Sequence, residues 1–257
     1  MRVAMIGSGY VGLVSGACFA DFGHDVVCVD KDSAKIDALK RGEVPIYEPG
    51  LTELVAANAK AGRLTFTTDL ASAVKDADAV FIAVGTPSRR GDGHADLSYV
   101  YAAAKEIAGA LSNVPVGTGD EVERIIRETR TDAHFAVMSN PEFLREGAAI
   151  QDFKRPDRIV VGGDHARGRE VMSELYRPLY LNRSPIMFTD RRTAELIKYA
   201  ANAFLATKIT FINEIADLAE KIGRSRAASV LITASARNFC TPARAMAARA
   251  FPRTPWR

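Results

Sequence analysis

Three glycines and one aspartate near the start of the chain have a spacing that is typical of dinucleotide binding. Gly7, Gly9 and Gly12 directly follow the apolar run of residues 2–6, and Asp30 follows a second such run. The first glycine permits a tight turn, the second lets backbone approach a pyrophosphate, and the third lets a helix pack on a strand. A carboxylate at Asp30 would accept both ribose hydroxyls and oppose a 2′-phosphate, which predicts NAD rather than NADP. The alternative is a glycine-rich turn that binds nothing.

Two further pairs of polar residues have types that are suited to proton transfer and charge stabilisation. Glu142 and Glu146 follow a predicted strand at residues 135–138, at the edge where open α/β sheets bind ligands, and a carboxylate there can act as a general base. Lys198 and Asn202 are four residues apart on a predicted helix, so both can face one developing alkoxide. The alternatives are a solvated loop acid and ordinary polar residues of a helix surface.

The elements that position these residues alternate between strands and helices. This alternation predicts an α/β fold with a doubly wound parallel sheet, a Rossmann-type domain. The predicted strands are residues 2–6, 25–29, 64–66, 79–84, 135–138, 158–161 and 186–188. The predicted helices are residues 13–22, 33–41, 51–61, 70–75, 97–111, 120–128, 168–181 and 193–222.

One strand of the expected alternation is missing. The predicted helices at residues 97–111 and 120–128 are separated by a short segment that contains Val114, Pro115 and Val116. Three residues with a central proline cannot form the buried strand that a doubly wound sheet requires between two such helices.

The last predicted helix, residues 193–222, is long for a small domain. About 30 residues span roughly 45 Å, and apolar residues recur along it at helical spacing. Gly223 is positioned to cap its C-terminus. We therefore expect a dinucleotide-binding domain at residues 1–190, a connecting or dimerising helix at 191–223, and a separate tail at 224–257.

The composition excludes several classes of protein. The chain is 47% hydrophobic, which is enough for a sizeable core, but no apolar stretch has the length of a membrane span. The first residues form a predicted strand and not a basic signal peptide. Cys18 and Cys28 fall within a predicted helix and strand, so we expect buried thiols in a reducing cytoplasm.

The histidines do not indicate a metal site. His24 and His134 precede predicted strands and are expected to be structural, whereas His94 and His165 fall in predicted surface loops. None of the four has a second ligand at a spacing typical of metal binding, so we predict no metal.

The net charge of +3 is unevenly distributed. Residues 224–257 contain seven arginines and no acidic residue, so they carry +7 and the rest of the chain −4. A mildly acidic body does not indicate nucleic-acid binding. The alternative for the arginines is a patch that binds nucleic acid or an anionic surface, but the run lacks interleaved aromatic residues.

Seven segments of residues 1–223 together resemble the UDP-glucose/GDP-mannose dehydrogenase family. They are IGSGYVGLVSGACFADFGHDVVCVDKD, VPIYEPGL, FIAVGTP, VPVGTGD, SNPEFLREG, RPDRIVVGG and ELIKYAANAFLATKITFINEIADL. NPEFLREG and KYAANAFLATKI are similar to the members that act on UDP-glucose, and GDP-mannose is the alternative substrate. The resemblance implies two hydride transfers to NAD that oxidise the sugar C6 alcohol to a carboxylate, with a cysteine as nucleophile.

The resemblance and the glycine pattern together imply roles for individual residues. The cofactor-binding residues are Gly7, Gly9, Tyr10, Val11, Gly12, Asp30, Lys35, Thr86 and Glu146, the last beside the nicotinamide. The substrate-binding residues are Glu142, Phe143, Leu144, Lys198 and Asn202. Of these, Glu142 is implied to act on the catalytic water, and Lys198 and Asn202 to stabilise oxyanions.

The chain departs from the family in two places. The family has a strand before VPVGTGD, followed by a Ser-Thr pair. This chain has Asn113 in place of the threonine and is about eight or nine residues shorter, judged by the family's spacing. The resemblance then ends at Gly223, before the family's cysteine loop and UDP-binding domain. Residues 228–257, back-translated and read from the third codon base, can encode that cysteine loop, so Cys240 would be a product of the shifted frame.

These departures lead us to expect a truncated chain with a disordered tail and without turnover. A second hypothesis is a non-catalytic remnant that still binds NAD or dimerises through the long helix. A third is a chain that does not fold, because loss of a central strand would leave its neighbours unpaired.

Overall fold

The computed structural model describes residues 1–86, 96–110, 119–131, 135–180 and 184–221. The strands within these residues are β1 (Arg2–Ile6), β2 (Asp25–Val29), β3 (Leu64–Thr67), β4 (Ala79–Ile82), β5 (Ile159–Gly162) and β6 (Ile186–Thr189). The helices are α1 (Tyr10–Asp21), α2 (Ser33–Lys40), α3 (Leu51–Lys60), α4 (Leu70–Lys75), α5 (Ser98–Ala110), α6 (Gly119–Thr129), α7 (Ala149–Lys154), α8 (Ala166–Leu175), α9 (Arg177–Tyr180) and α10 (Arg191–Lys221).

The chain divides into two compact units, residues 1–195 and 196–257. The first contains both sheets and the start of α10. The second is described from residue 196 to residue 221, where it consists of the rest of α10. No helix among the described residues has both the length and the apolar character that crossing a membrane requires.

β1 lies inside a parallel four-stranded sheet whose order is β3-β2-β1-β4. Met5 lies opposite Cys28 of β2 on one side and Phe81 of β4 on the other. The last four residues of β1 are buried because the sheet has an apolar core on each face, which explains why the strand lacks a polar alternation. The carboxyl ends of the four parallel strands meet at one edge, where sheets of this kind bind ligands.

The prediction of a strand at residues 135–138 is wrong. These residues are buried, but within the described ranges the only pairing near them is an isolated bridge in which Ser139 and Gly162 exchange N–H···O bonds of 2.8 and 2.7 Å. A strand requires a neighbour for its ladder, and among the described strands β4 pairs with β1 alone. β5 and β6 form a separate parallel pair. The segment expected to lack a strand, residues 111–118, lies outside the described residues.

Other predicted elements change only at their ends or by one interruption. The helix predicted at residues 168–181 is two helices, α8 and α9, separated at Tyr176, because Pro178 has no N–H with which to continue the first. β4 ends at Ile82, two residues early. Helix α7 was not predicted, and Gly223, His94, His134 and the tail from residue 224 lie outside the described residues.

An aromatic cluster forms the centre of the core on one face of the sheet. The Phe19 ring lies 5.2 Å from Phe81, 5.0 Å from Phe153 and 5.4 Å from Tyr176, measured between ring centroids. These contacts join α1, β4, α7 and the end of α8, elements that are far apart in the sequence. The cluster therefore fixes α1, the helix that follows the glycines, against the rest of the first unit.

The described cysteines and one histidine behave as the sequence predicts. Cys18 and Cys28 are buried free thiols, and burial raises the pKa of each to about 12. His24 is also buried and places its Nε2 2.9 Å from the Leu175 carbonyl oxygen. Its role is structural, since it joins the end of α1 to α8.

The start of α10 is held in the first unit by charged and polar contacts. Arg191 pairs with Asp120 at 2.8 Å and with Glu123 at 2.5 Å, both on α6. Glu195 accepts a hydrogen bond of 3.0 Å from the Ser139 hydroxyl. These contacts connect the start of α10 to α6 and to the loop that carries Glu142.

Candidate functional site

The turn after β1 is built by close approaches that only glycine permits. Gly7 has a φ of +104°, and a Cβ there would lie 2.6 Å from the Ala83 carbonyl oxygen. A Cβ at Gly12 would lie 1.9 Å from the Gly7 carbonyl oxygen. At Gly9 an added Cβ would meet no protein atom within 4 Å. The first and third glycines are therefore required by packing, and the second leaves open space beside the backbone.

The first turn of α1 faces this open space. Its backbone N–H groups donate no hydrogen bond to a capping side chain. Gly9 is the N-cap and makes no side-chain capping bond, and no acidic residue lies in the first turn. Helix N-termini leave their first N–H groups unpaired and carry partial positive charge, so they bind anions. Ser8 Oγ is buried and has no hydrogen-bond partner among the described residues. These groups fit a pyrophosphate.

Asp30 is held at the end of β2 beside the same turn. Its carboxylate accepts hydrogen bonds from the Ser8 N–H at 2.9 Å, the Asp32 N–H at 3.1 Å and the Lys35 ammonium at 2.8 Å. Burial favours the neutral acid, but these donors outweigh it and hold the pKa of Asp30 below its usual range. An ionised carboxylate at this point fits the hydroxyls of an adenosine ribose.

Most of the predicted cofactor residues thus lie together. Tyr10 and Val11 form the start of α1, and Lys35 pairs with Asp30. Thr86 is exposed, four residues beyond the end of β4 and three beyond Ala83, which packs against the glycine turn. Glu146 is exposed, and its negative charge is one of the causes that raise the pKa of Tyr10.

Several contacts hold the loop at residues 139–148 in place. This loop contains Glu142, Phe143 and Leu144. Glu142 accepts a hydrogen bond of 2.7 Å from the Leu144 N–H, and the Arg158 guanidinium lies 5.1 Å from the centre of the Phe143 ring. Arg145 donates through its backbone and its side chain to Asp152. The three predicted residues are half-buried; Phe143 is in contact with the residue before β5, and the loop is joined to α7 through Arg145.

Two residues that sequence reasoning missed hold the start of this loop. Asn140 donates a hydrogen bond of 2.9 Å to the Val160 carbonyl oxygen and accepts one of 2.6 Å from the buried Tyr176 hydroxyl. An asparagine directly before Pro141 was the available signal, since that dipeptide is typical of a structured turn. A third missed residue is Glu48, whose carboxylate joins Tyr10 to this loop.

Lys198 and Asn202 lie one turn apart on α10, within the second unit. Lys198 is half-buried and Asn202 is exposed. Their spacing confirms that they share one side of the helix. Their meeting with Glu142 at one substrate stays a prediction. Among the described residues, no group of three histidine, cysteine or acidic side chains is arranged to hold a metal ion.

The fold and the glycine turn define a Rossmann-type NAD-binding domain. Comparison with known proteins agrees with this class: residues 1–180 match the UDP-glucose/GDP-mannose dehydrogenase family, NAD binding domain, and residues 192–251 match that family's central domain. The chain belongs to this family. The central-domain match extends beyond Gly223, where the sequence resemblance was expected to end.

Individual relatives show how much of the family's length is present. UDP-glucose 6-dehydrogenase of Rhizobium meliloti (strain 1021) is 72% identical over 234 residues, which cover 87% of this chain and 54% of the relative. A structure of GDP-mannose dehydrogenase from Pseudomonas aeruginosa has a TM-score of 0.82 at 36% identity, covering 88% of this chain and 54% of that one. For UDP-glucose dehydrogenase from Pyrobaculum islandicum the TM-score is 0.79 at 39% identity, covering 86% and 54%.

This chain therefore spans about half the length of the relatives that it matches. The alignment with the R. meliloti enzyme is 234 residues long, yet 87% of 257 residues is about 224. About ten aligned positions thus have no residue in this chain. That difference is close to the size of the segment expected to be missing before Val114.

We expect Gly9→Ala and Gly12→Ala to separate cofactor binding from folding. Gly12→Ala should lower the free energy of unfolding by about 3 kcal/mol, because its Cβ overlaps backbone that must move. Gly9→Ala should leave that free energy unchanged, since its φ of −79° suits alanine, but should weaken NAD binding at least about tenfold. Urea denaturation and NAD titration measure the two effects. A folded Gly9→Ala variant that binds NAD like the wild type would show that the turn does not hold the pyrophosphate.

Proposed function

We propose that this chain is the NAD-binding part of a UDP-glucose 6-dehydrogenase, which oxidises the C6 alcohol of UDP-glucose to the carboxylate of UDP-glucuronate. The observation that carries the proposal is the glycine turn with its ionised Asp30, in a chain 72% identical to an enzyme of that name. When bound, NAD supplies the hydride acceptor. Gly7, Gly9 and Gly12 shape the pyrophosphate site, and Asp30 binds the adenosine ribose.

The remaining cofactor and substrate residues take their proposed roles from the resemblance and from their surroundings. Val11, Lys35 and Thr86 contact the cofactor, and Glu146 lies beside the nicotinamide. Glu142 is the general base toward water, supported by its half-buried carboxylate, which the Leu144 N–H orients.

Four residues take proposed roles toward the sugar from the resemblance. Phe143 and Leu144 line the sugar site. Lys198 and Asn202 donate to the alkoxide that develops at C6 as its proton leaves, which lowers the energy of the charged transition state. GDP-mannose is the less favoured substrate, because the compared enzyme that acts on it is only 36% identical.

We further propose that the 257-residue chain alone binds NAD without completing the oxidation. Its sequence contains three cysteines, Cys18, Cys28 and Cys240. Burial raises the pKa of Cys18 and Cys28 to about 12, so neither is a thiolate near neutral pH and neither can act as the nucleophile. Cys240 lies outside the described residues and has no general base near it in the sequence. The free thiols of Cys18 and Cys28 support a cytoplasmic location.

The purified chain should bind NAD but should produce no NADH from UDP-glucose. Saturation with NAD at a hundred times its Kd should raise the free energy of unfolding by about 2.7 kcal/mol. A thermal melt with and without NAD, followed by absorbance of NADH with UDP-glucose or GDP-mannose, measures both. Sustained NADH formation would refute the proposal that the chain is inactive. A melting temperature that does not change with NAD would refute the proposal that it binds NAD.

The long helix supports a proposal of homodimerisation. Within residues 196–221, large apolar side chains of α10 are exposed. They are Leu196, Tyr199, Phe204, Leu205, Ile209, Phe211 and Leu218. Exposed apolar surface of this kind is typical of a protein interface, and a second copy of the helix offers a matching surface.

Light scattering of the purified chain is therefore expected to give the mass of a dimer. Phe211→Glu should shift the population to monomer, because it places a charge among the apolar side chains of the interface. Asp217→Asn, a change at an exposed polar position of the same helix, is the control and should remain dimeric. A wild-type chain that is monomeric at high concentration would contradict the proposal.

A further inference from the structure

Glu48 is a buried carboxylate that accepts hydrogen bonds from several neutral donors. Only 5% of its surface is exposed. One oxygen, Oε1, accepts a hydrogen bond of 2.8 Å from the Ala149 N–H. The other, Oε2, accepts one of 2.8 Å from the Gly147 N–H and a second from the Tyr10 hydroxyl. One side chain therefore gathers donors from two segments that are more than 130 residues apart in the sequence.

The two segments are the two parts of the cofactor site. Tyr10 is the first residue of α1, directly after the pyrophosphate-binding turn. Gly147 and Ala149 follow Glu146, the acid proposed to lie beside the nicotinamide. Glu48 also anchors its own segment, because its carbonyl oxygen accepts a hydrogen bond of 3.1 Å from the Leu51 N–H at the start of α3. The main chain of Glu48 is thus fixed at the start of α3, while its carboxylate holds both segments, Oε2 through Tyr10 and Gly147 and Oε1 through Ala149.

The protonation states keep this connection intact near neutral pH. Burial opposes ionisation of Glu48, but the Tyr10 hydroxyl and the N–H groups of Gly147, Ala149 and Ile150 outweigh it and lower its pKa. Burial, together with the hydrogen bond to Glu48 and its charge, raises the pKa of Tyr10 to about 12. Tyr10 therefore remains a donor and Glu48 remains a charged acceptor.

Packing alone does not account for a charged group at this point. Burying a charge is costly, and a neutral amide or apolar side chain would fill the space at a smaller desolvation penalty. Hydrogen bonds to a carboxylate are shorter and stronger than those to neutral acceptors. Here these strong hydrogen bonds fix the distance between the turn and the loop.

We propose that Glu48 is a positioning residue of the NAD site, which sets the spacing between the start of α1 and the loop that carries Glu146. Through Tyr10 it orients the end of the site that binds the pyrophosphate. Through Gly147 and Ala149 it orients the end that faces the nicotinamide. This inference deepens the proposed function and depends on it for the assignment of Glu146 to the cofactor.

The test is a double-mutant cycle on NAD affinity with Tyr10→Phe, Glu48→Gln and the double variant. Tyr10→Phe removes one hydroxyl. Glu48→Gln turns an NH₂ group toward at least one backbone N–H, because an amide has a single acceptor oxygen. Each single variant should raise the Kd for NAD about tenfold, and the double variant about tenfold as well, since the second change removes a connection that is already broken. Glu53→Gln, at an exposed glutamate of α3, is the matched control and should bind like the wild type.

A second measurement follows the loop without NAD. Hydrogen exchange of the backbone amides of residues 144–150 should accelerate in Glu48→Gln and in Tyr10→Phe, whereas exchange in β1 should not change. This separates loss of loop positioning from general destabilisation. If Glu48→Gln does not fold, Tyr10→Phe, which removes only one oxygen atom, decides the question alone.

The outcomes distinguish this inference from the proposed function. A wild-type chain that does not bind NAD overturns the proposed function and the inference with it. A wild-type chain that binds NAD while both single variants bind equally well overturns the inference alone. Losses that multiply in the double variant also overturn it, because Tyr10 and Glu48 would then act independently.

Discussion

The structure depends on the close approach of α1 to the turn that follows β1. The backbone of Gly12 lies so near Gly7 that a side-chain carbon at Gly12 would overlap the Gly7 carbonyl oxygen, and Gly7 in turn lies against Ala83. β1, α1 and the chain leaving β4 thus meet without room for a methyl group. This contact points the free N–H groups of α1 at the edge of the sheet, and the aromatic cluster around Phe19 holds the helix there.

Two acidic side chains hold that turn in place by accepting hydrogen bonds from it. Asp30 accepts from the backbone of Ser8 and connects the turn to β2, with Lys35 balancing its charge. Glu48 accepts a hydrogen bond from Tyr10 and one from the Gly147 N–H, and so connects the turn to the loop at residues 139–148. Alternate residues of one short turn are therefore joined to two different parts of the domain. A ligand that binds at the turn would act on both.

Local features of the sequence were sufficient to predict the first part of the fold. The bounds of β1 and β2, the start of α2 and the close packing at Gly7 and Gly12 follow from short-range patterns, because glycine spacing and apolar runs depend on neighbouring residues. The prediction of a strand at residues 135–138 was wrong because strand formation does not depend on neighbouring residues alone. An apolar run becomes a strand only where another strand pairs with it. Pro178 was a local signal of the break between α8 and α9, and the prediction of one helix at residues 168–181 overlooked it.

Glu48 shows most clearly what the sequence does not reveal. It stands in a loop between Tyr47, which is 87% exposed, and the exposed Pro49, and no local pattern distinguishes it from the exposed Glu43 nearby. Its burial arises only because residues 147–149 fold onto it from a distant part of the chain. Asp30 was predictable because its partners lie within its own strand–turn–helix unit, whereas the partners of Glu48 do not.

Whether the glycine turn and Asp30 form an NAD site is tested most directly by comparing the Kd of the purified chain for NAD with its Kd for NADP. Asp30 is held ionised where the ribose would bind, so the 2′-phosphate of NADP would face a carboxylate. NAD should therefore bind at least about tenfold more tightly than NADP, a difference of ~1.4 kcal/mol. Equal affinity for the two dinucleotides, or no affinity for either, would contradict the claim that the glycine turn and Asp30 form an NAD site.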